Sequence, residues 1–189
     1  RRSRGLGDVY KRQVGVVREK ETGSIANFRS TPVTNLEFLV GKQLPYVVIG
    51  LVNFMMLAAL SLFVFGVPVT GSVTALLAGV ALYVLAATGF GLVVSTFTRT
   101  QVAAVFATSI IALIPAVNFS GLLVPVSSLS GAGRALGLAF PAAWFQHISI
   151  GTFTKGLGFP ELWLNHLVLA VFAMAFIGTA TGVLRKQEA

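Results

Sequence analysis

Residues Pro45 to Val67 read PYVVIGLVNFMMLAALSLFVFGV, with no charged side chain among them. An α-helix rises about 1.5 Å per residue, so about 20 apolar residues cross the roughly 30 Å hydrocarbon core of a bilayer. This stretch is long enough to span, and lipid would tolerate it on every side. The charge-free run containing it extends from Lys42 to Arg99, and a second follows from Arg99 to Arg134. The first run holds two spans. Composition agrees: of 189 residues 55% are hydrophobic and 11% charged, against a charged share of roughly 25% in an average soluble domain. An all-α integral membrane protein is expected.

Four spans are expected in all. After Pro45–Val67, Pro68 and Thr70-Gly71-Ser72 supply a turn. The second span covers about 73–97 and stops at Thr98-Arg99-Thr100. A third runs over about 102–124 with Pro115 inside it, tolerated where neighbouring groups satisfy the freed carbonyl. The last, about 162–184, is closed by Arg185 and Lys186. Arg18, Lys20, Arg29 and Lys42 precede the first span, Arg99 lies between the second and third, and Arg134 and Lys155 fall on the opposite side. The positive-inside rule therefore places the opening stretch and the C-terminus in the cytoplasm, with Trp144 and Trp163 at the outer interface. Residues 125–160 carry apolar pieces too short to cross. They are expected to form two short re-entrant helices capping the outer ends of other spans.

The polar residues before the first span have a different character. Arg1 to Gln13, RRSRGLGDVYKRQ, lacks an initiator Met and any apolar stretch. It reads as a non-native segment set apart from the fold, with native sequence from about Val14; a basic arm for anionic headgroups is the alternative. Those basic residues contribute several charges to the formal net charge of +8, which is why that charge does not argue for nucleic acid. With no cysteine there is neither a disulfide framework nor a thiolate metal site.

Residues 14–44 form a cytoplasmic region in which local signals follow one another. Ser24 caps a short helix that puts Ile25 and Phe28 on one face beside Arg29, and Pro32 stops it. Thr34-Asn35-Leu36-Glu37 matches a capping box for a second helix with Leu36, Leu39 and Val40 as its apolar stripe. Gly41, Lys42 and Pro45 then mark an elbow into the first span. One assignment for this stretch is an amphipathic helix lying on lipid headgroups. Glu19, Glu21 and Glu37 dilute its basic face, however, and a small apolar tip with a charged rim is the make-up of a protein contact.

Arg18-Glu19, Glu21, Gly23-Ser24, Thr31-Pro32, Glu37 and Gly41-Lys42, followed by the spans and the broken segment before the last one, resemble the C-terminal half of a permease subunit of type-2 ATP-binding cassette exporters. The resemblance covers essentially everything after Val14, and departs from the family in lacking its first span and the large outer domain of many members. It implies that residues 14–44 carry the coupling helix and that Glu21, Ser24, Ile25, Phe28, Arg29 and Pro32 dock a separate ATPase subunit, with Gly41, Lys42 and Pro45 as the elbow. It also implies a second permease copy or a paralogue as partner, ATP and Mg held by the ATPase rather than this chain, and a multi-pass place in a bacterial inner membrane.

No phosphate-binding loop is present, since Gln43 follows Gly41-Lys42 and Leu36 stands where the first glycine would be. His147 and His166 have no acidic cluster beside them, so neither a metal site nor an intramembrane enzyme is expected. Asn53, Asn118 and Ser120 lie within apolar sequence and should face other helices or a cavity. They are candidates for a substrate path, although interhelical hydrogen bonding is the simpler role. Two glycine spacings, Gly178/Gly182 and Ala75/Gly79, fit close helix packing. The function expected is export of a hydrophobic or amphipathic cargo, drug-like or lipid-like, powered by a separate ATPase. A membrane scaffold without transport activity is the alternative.

Overall fold

The computed structural model describes residues 35–98, 101–121, 123, 126–129 and 131–188. The chain divides into two compact units, Arg1–Phe38 and Leu39–Ala189. Of the first, the described part is the opening of a helix. Among the described residues there are six α-helices and no strand: α1 Asn35–Phe63, α2 Val73–Phe97, α3 Gln101–Phe119, α4 Gly131–Leu138, α5 Pro141–Thr154 and α6 Phe159–Glu188, with a 3₁₀ turn at Val126–Ser128. Four of them contain segments long and apolar enough to cross a membrane: Leu39–Phe63, Val73–Phe97, Val102–Phe119 and Phe159–Val183.

Local chemistry sets the ends of these helices, and in two places it overrides the hydropathy. Helix α1 stops at Phe63 although FVFGV continues apolar to Val67. Gly66 adopts the left-handed conformation (φ 64°), and the N–H groups of Phe65 and Val67 turn back to Leu60 O (3.2 Å) and Ser61 O (3.0 Å). A glycine of this kind terminates a helix regardless of how apolar its neighbours are. Likewise α3 ends at Phe119, short of the expected Val124, with Gly121 at φ 101° just beyond. Three N-termini carry recognisable start signals. Ser72 Oγ accepts the N–H of Ala75 at the head of α2, Pro141 opens α5, and Glu161 reaches back to the N–H of Gly158 (2.9 Å) at the head of α6.

At Gly41–Pro45 the structure departs from the expected elbow between two helices: α1 is unbroken there, with Pro45 inside it. A proline ring presses on the carbonyl four residues earlier, which here belongs to Gly41. Gly41 has no Cβ to constrain that turn, and nothing stands within 4 Å of where one would be.

The core lies between α2, α5 and α6. Leu76, Val80, Ile148, Leu162 and Leu169 are buried together, with Tyr83, Phe145 and Leu157 packed against them. Helix α5 runs antiparallel to α2 over most of its length. Phe140, just ahead of α5, meets Phe90 edge-on (6.2 Å), Phe145 stacks on Tyr83 (4.6 Å), Ile148 fills the space over Gly79, and Thr152 O accepts the N–H of Gly71 (2.8 Å). Phe90 lies about 26 Å along the axis from Val73, so α5 begins deep beside α2 and rises to the Thr70–Ser72 turn. The described part of residues 125–160 forms two short helices of different placement: α4 meets the end of α3, with Gly133 and Gly137 against Phe119, whereas α5 packs alongside α2 instead of only over its end. Its fourteen residues are too few to register as a span, yet Ala143, Ile148, Gly151 and Thr152 are buried, as befits a helix with one face packed on protein.

The turn at Thr70–Ser72 joins α5 to α2. Besides the Gly71 bond, Ser72 N–H donates to Leu157 O (3.1 Å), and Thr70 Oγ1 donates to Phe153 O (3.0 Å). The bonds to Thr152 O and Phe153 O satisfy carbonyls that the C-terminus of α5 would otherwise leave orphaned. The turn must be glycine at position 71, because a Cβ there would fall on the Leu157 carbonyl oxygen and 3.0 Å from Gly156 C and Leu157 N.

Candidate functional site

Glu21, Ser24, Ile25, Phe28, Arg29 and Pro32, expected to dock an ATPase, lie outside the described residues. The described structure begins just downstream of them, in α1. Lys42 is exposed on that helix and Gly41 and Pro45 flank it. The residue that ties this stretch to the bundle is Gln43.

Gln43 retains 2% of its accessible surface. Its amide donates to Leu85 O (2.9 Å) and to Thr88 Oγ1 (2.7 Å) on α2. The Thr88 hydroxyl in turn donates to Val84 O (2.7 Å), leaving its lone pairs for Gln43. The sequence pattern gives Gln43 no role beyond following Gly41-Lys42. The signal was its register: Leu39, Gln43, Gly50 and Phe54 fall on one helix face, and Leu39 is buried while Val40 is 41% exposed. Gly50 belongs to the same seam, since a Cβ there would come 2.7 Å from Val84 Cγ1, and Phe54 meets Phe145 edge-on at 6.1 Å.

The three candidate path residues go separate ways. Asn53 is exposed on α1. Asn118 is exposed too, and its amide turns back to Ile114 O (2.9 Å) on its own helix. Ser120 is buried at 5% exposure just past the end of α3. The structure brings no two of them together in a described contact.

His166 is a second polar residue within a span, missed as a structural element in the sequence. It is buried, with Nδ1 2.8 Å from Leu162 O and Nε2 2.8 Å from Ala75 O on α2, and its ring lies 5.0 Å from that of Phe159. Gly79 lies beside it and makes room for Ile148: a Cβ there would come 2.9 Å from Ile148 Cγ2, but only to ordinary contact, 3.5 Å, with Nε2. Of the two small-residue spacings, Ala75/Gly79 is therefore the packed one, whereas nothing approaches Gly178 or Gly182 within 4 Å among the described residues. His147, by contrast, is exposed on α5. Trp144 Nε1 donates to Leu138 O (3.0 Å), joining the two short helices.

Physically, this arrangement is a packed α2–α5–α6 unit with α1 laid against it along one seam, polar at Gln43 and apolar above. Among the described residues no group of three His, Cys, Asp or Glu side chains could hold a metal.

Residues 13–181 match the model of a family described as ABC-2 family transporter protein. The chain is 33% identical over 130 residues to a probable multidrug ABC transporter permease, YbhS, of Escherichia coli strain K12, covering 69% of this chain and 34% of the relative; the same figures hold for strain O157:H7. It is 26% identical over 124 residues to a second such permease of strain K12, YbhR, covering 66% of this chain and 33% of the relative. The chain thus spans about a third of the length of these curated relatives. No solved structure matches it. With four apolar span-length helices, a short helix packed against the second and the last of them, and a family match across most of its length, the chain belongs to the ABC-2 family of transporter proteins as a membrane-spanning permease.

Proposed function

We propose that this chain is part of the permease of an ATP-driven exporter: its spans form half of a pathway out of the cytoplasm, and a separate ATPase subunit docks on residues 21–32. The observation that carries this reading is the family membership of a chain whose charged stretch, Arg18 to Arg29, precedes α1 in the sequence. Both ends of the chain face the cytoplasm, following the Lys/Arg bias of the loops. ATP and Mg are bound by the ATPase, and a second copy or a paralogue completes the pathway in the bacterial inner membrane. A hydrophobic or amphipathic cargo fits, because the run from Lys42 to Arg99 contains no Asp, Glu, Lys or Arg, whereas ion and proton paths mark themselves with ionisable groups. That the relatives are named as probable multidrug permeases agrees with a drug-like cargo.

Docking is tested by Phe28→Asp and Arg29→Glu in the complete permease co-expressed with its ATPase. Loss of co-purification of the ATPase, with the permease still inserted in the membrane, is the expected outcome. Normal complex formation by both variants would overturn the docking assignment.

A further inference from the structure

We propose that Gln43 is a positioning residue for transport, the joint through which displacement of α1 is handed to α2, α5 and the last span. This rests on the proposal that an ATPase acts just upstream of α1.

Helix α1 meets its neighbours along one stripe, and most of its other large side chains, Val48, Ile49, Val52, Met55 and Met56 among them, are exposed. Most contacts on the stripe are apolar, such as Gly50 on Val84. Contacts of that kind hold weakly against lipid, which is as apolar as the side chains themselves, so they permit one helix to slide or roll on another. The bonds of Gln43 do not. They are directional, one acceptor is a backbone carbonyl fixed in α2, and breaking them leaves a buried amide without partners. Since the helix is unbroken through Gly41–Pro45, a shift arriving at Leu39 is carried to Gln43 along the same helix.

What Gln43 touches then spreads that shift. Gly89, next to Thr88, is wedged between two helices: a Cβ there would lie 3.8 Å from Gln43 Nε2 and 3.3 Å from Phe176 Cβ on α6. Phe90 follows, edge-on to Phe176 (5.4 Å) and to Phe140 at the head of α5 (6.2 Å). One turn of α2, Thr88 to Phe90, therefore touches α1, α6 and the start of α5 together. Contact alone does not establish coupling, so a coupling measurement is needed.

The test uses the complete permease with its ATPase in nanodiscs, any cysteines elsewhere replaced by serine and His147→Cys labelled with bimane as an exposed reporter on α5. ATP should change the bimane fluorescence. Gln43→Leu and Thr88→Val should each cut the amplitude per ATP hydrolysed about 2- to 30-fold, the range expected for loss of a coupling residue, while co-purification and ATP hydrolysis stay at wild-type level. Thr88→Ser, which keeps the hydroxyl, should restore the amplitude. The double variant Gln43→Leu/Thr88→Val should be no worse than either single one, because both remove the same joint. Full amplitude in Gln43→Leu, additive losses, loss of the ATPase from Gln43→Leu, or a reporter that ATP leaves unchanged would each overturn the proposal. Failure of docking has a separate signature: Phe28→Asp and Arg29→Glu would still co-purify the ATPase, whatever the Gln43 variants do.

Discussion

Replacing Gly71 by alanine is the sharpest stability test of how α5 is held. The added methyl would land on the Leu157 carbonyl oxygen and within 3.0 Å of two further backbone atoms, so no rotamer change relieves it and the two backbones must part. Parting them stretches Gly71 N–H to Thr152 O (2.8 Å) and Ser72 N–H to Leu157 O (3.1 Å). Overpacking costs about 1–3 kcal/mol, and each of the two weakened bonds about 0.5–1.5 kcal/mol, giving roughly 2–6 kcal/mol in all. At about 2–4 °C per kcal/mol for a domain of this size, the melting midpoint in detergent should fall by roughly 4–24 °C. Gly41→Ala is the control. Nothing stands within 4 Å of its Cβ position, and alanine is better than glycine in a helix by up to about 1 kcal/mol, so its midpoint should hold or rise. Tryptophan fluorescence during a thermal ramp reads both variants. A Gly71→Ala protein that melts with wild type would refute the placement of α5 against this turn.

The remaining predictions use the same coordinates. The chain has no cysteine, and a Cβ built on Gly50 lies 3.6 Å from Val84 Cβ while one on Gly158 lies 3.8 Å from Ser72 Cβ. Both separations fall within the disulfide range of about 3.5–4.5 Å, so the pairs Gly50→Cys/Val84→Cys and Ser72→Cys/Gly158→Cys should each cross-link under mild oxidation, read by proteolysis between the sites and a reductant-sensitive gel shift. Uncross-linked product from the first pair would displace the α1–α2 seam. His166→Leu removes polar contacts between α6 and α2 and should cost about 1–3 kcal/mol, whereas His147→Leu at an exposed site should cost little; equal melting midpoints for the two would contradict the burial of His166. Trp144→Phe, which loses the bond to Leu138 O, should cost about 1 kcal/mol by the same melt.

The sequence by itself determined that this is a bilayer protein with four crossing helices. Chain length between charges and the hydropathy of each run are local quantities, and the requirement that lipid-exposed backbone satisfy itself leaves helices as the form for such runs. It also carried the family resemblance, which lies in Arg18 to Lys42 and the order of the spans. Tertiary structure decided the rest. Hydropathy could not see that Gly66 ends α1 inside an apolar run, nor that Gly41 and Pro45 sit in one continuous helix, because both depend on backbone conformation. It could not tell α5, an apolar helix of fourteen residues, from a cap over the span ends, since that is settled by the ring and glycine contacts along α2. The same limit hid the roles of Gln43, His166 and Gly71. A polar side chain or a glycine has the same local signature whether it faces lipid, water or another helix, and only the neighbour that folding brings within reach makes it a joint.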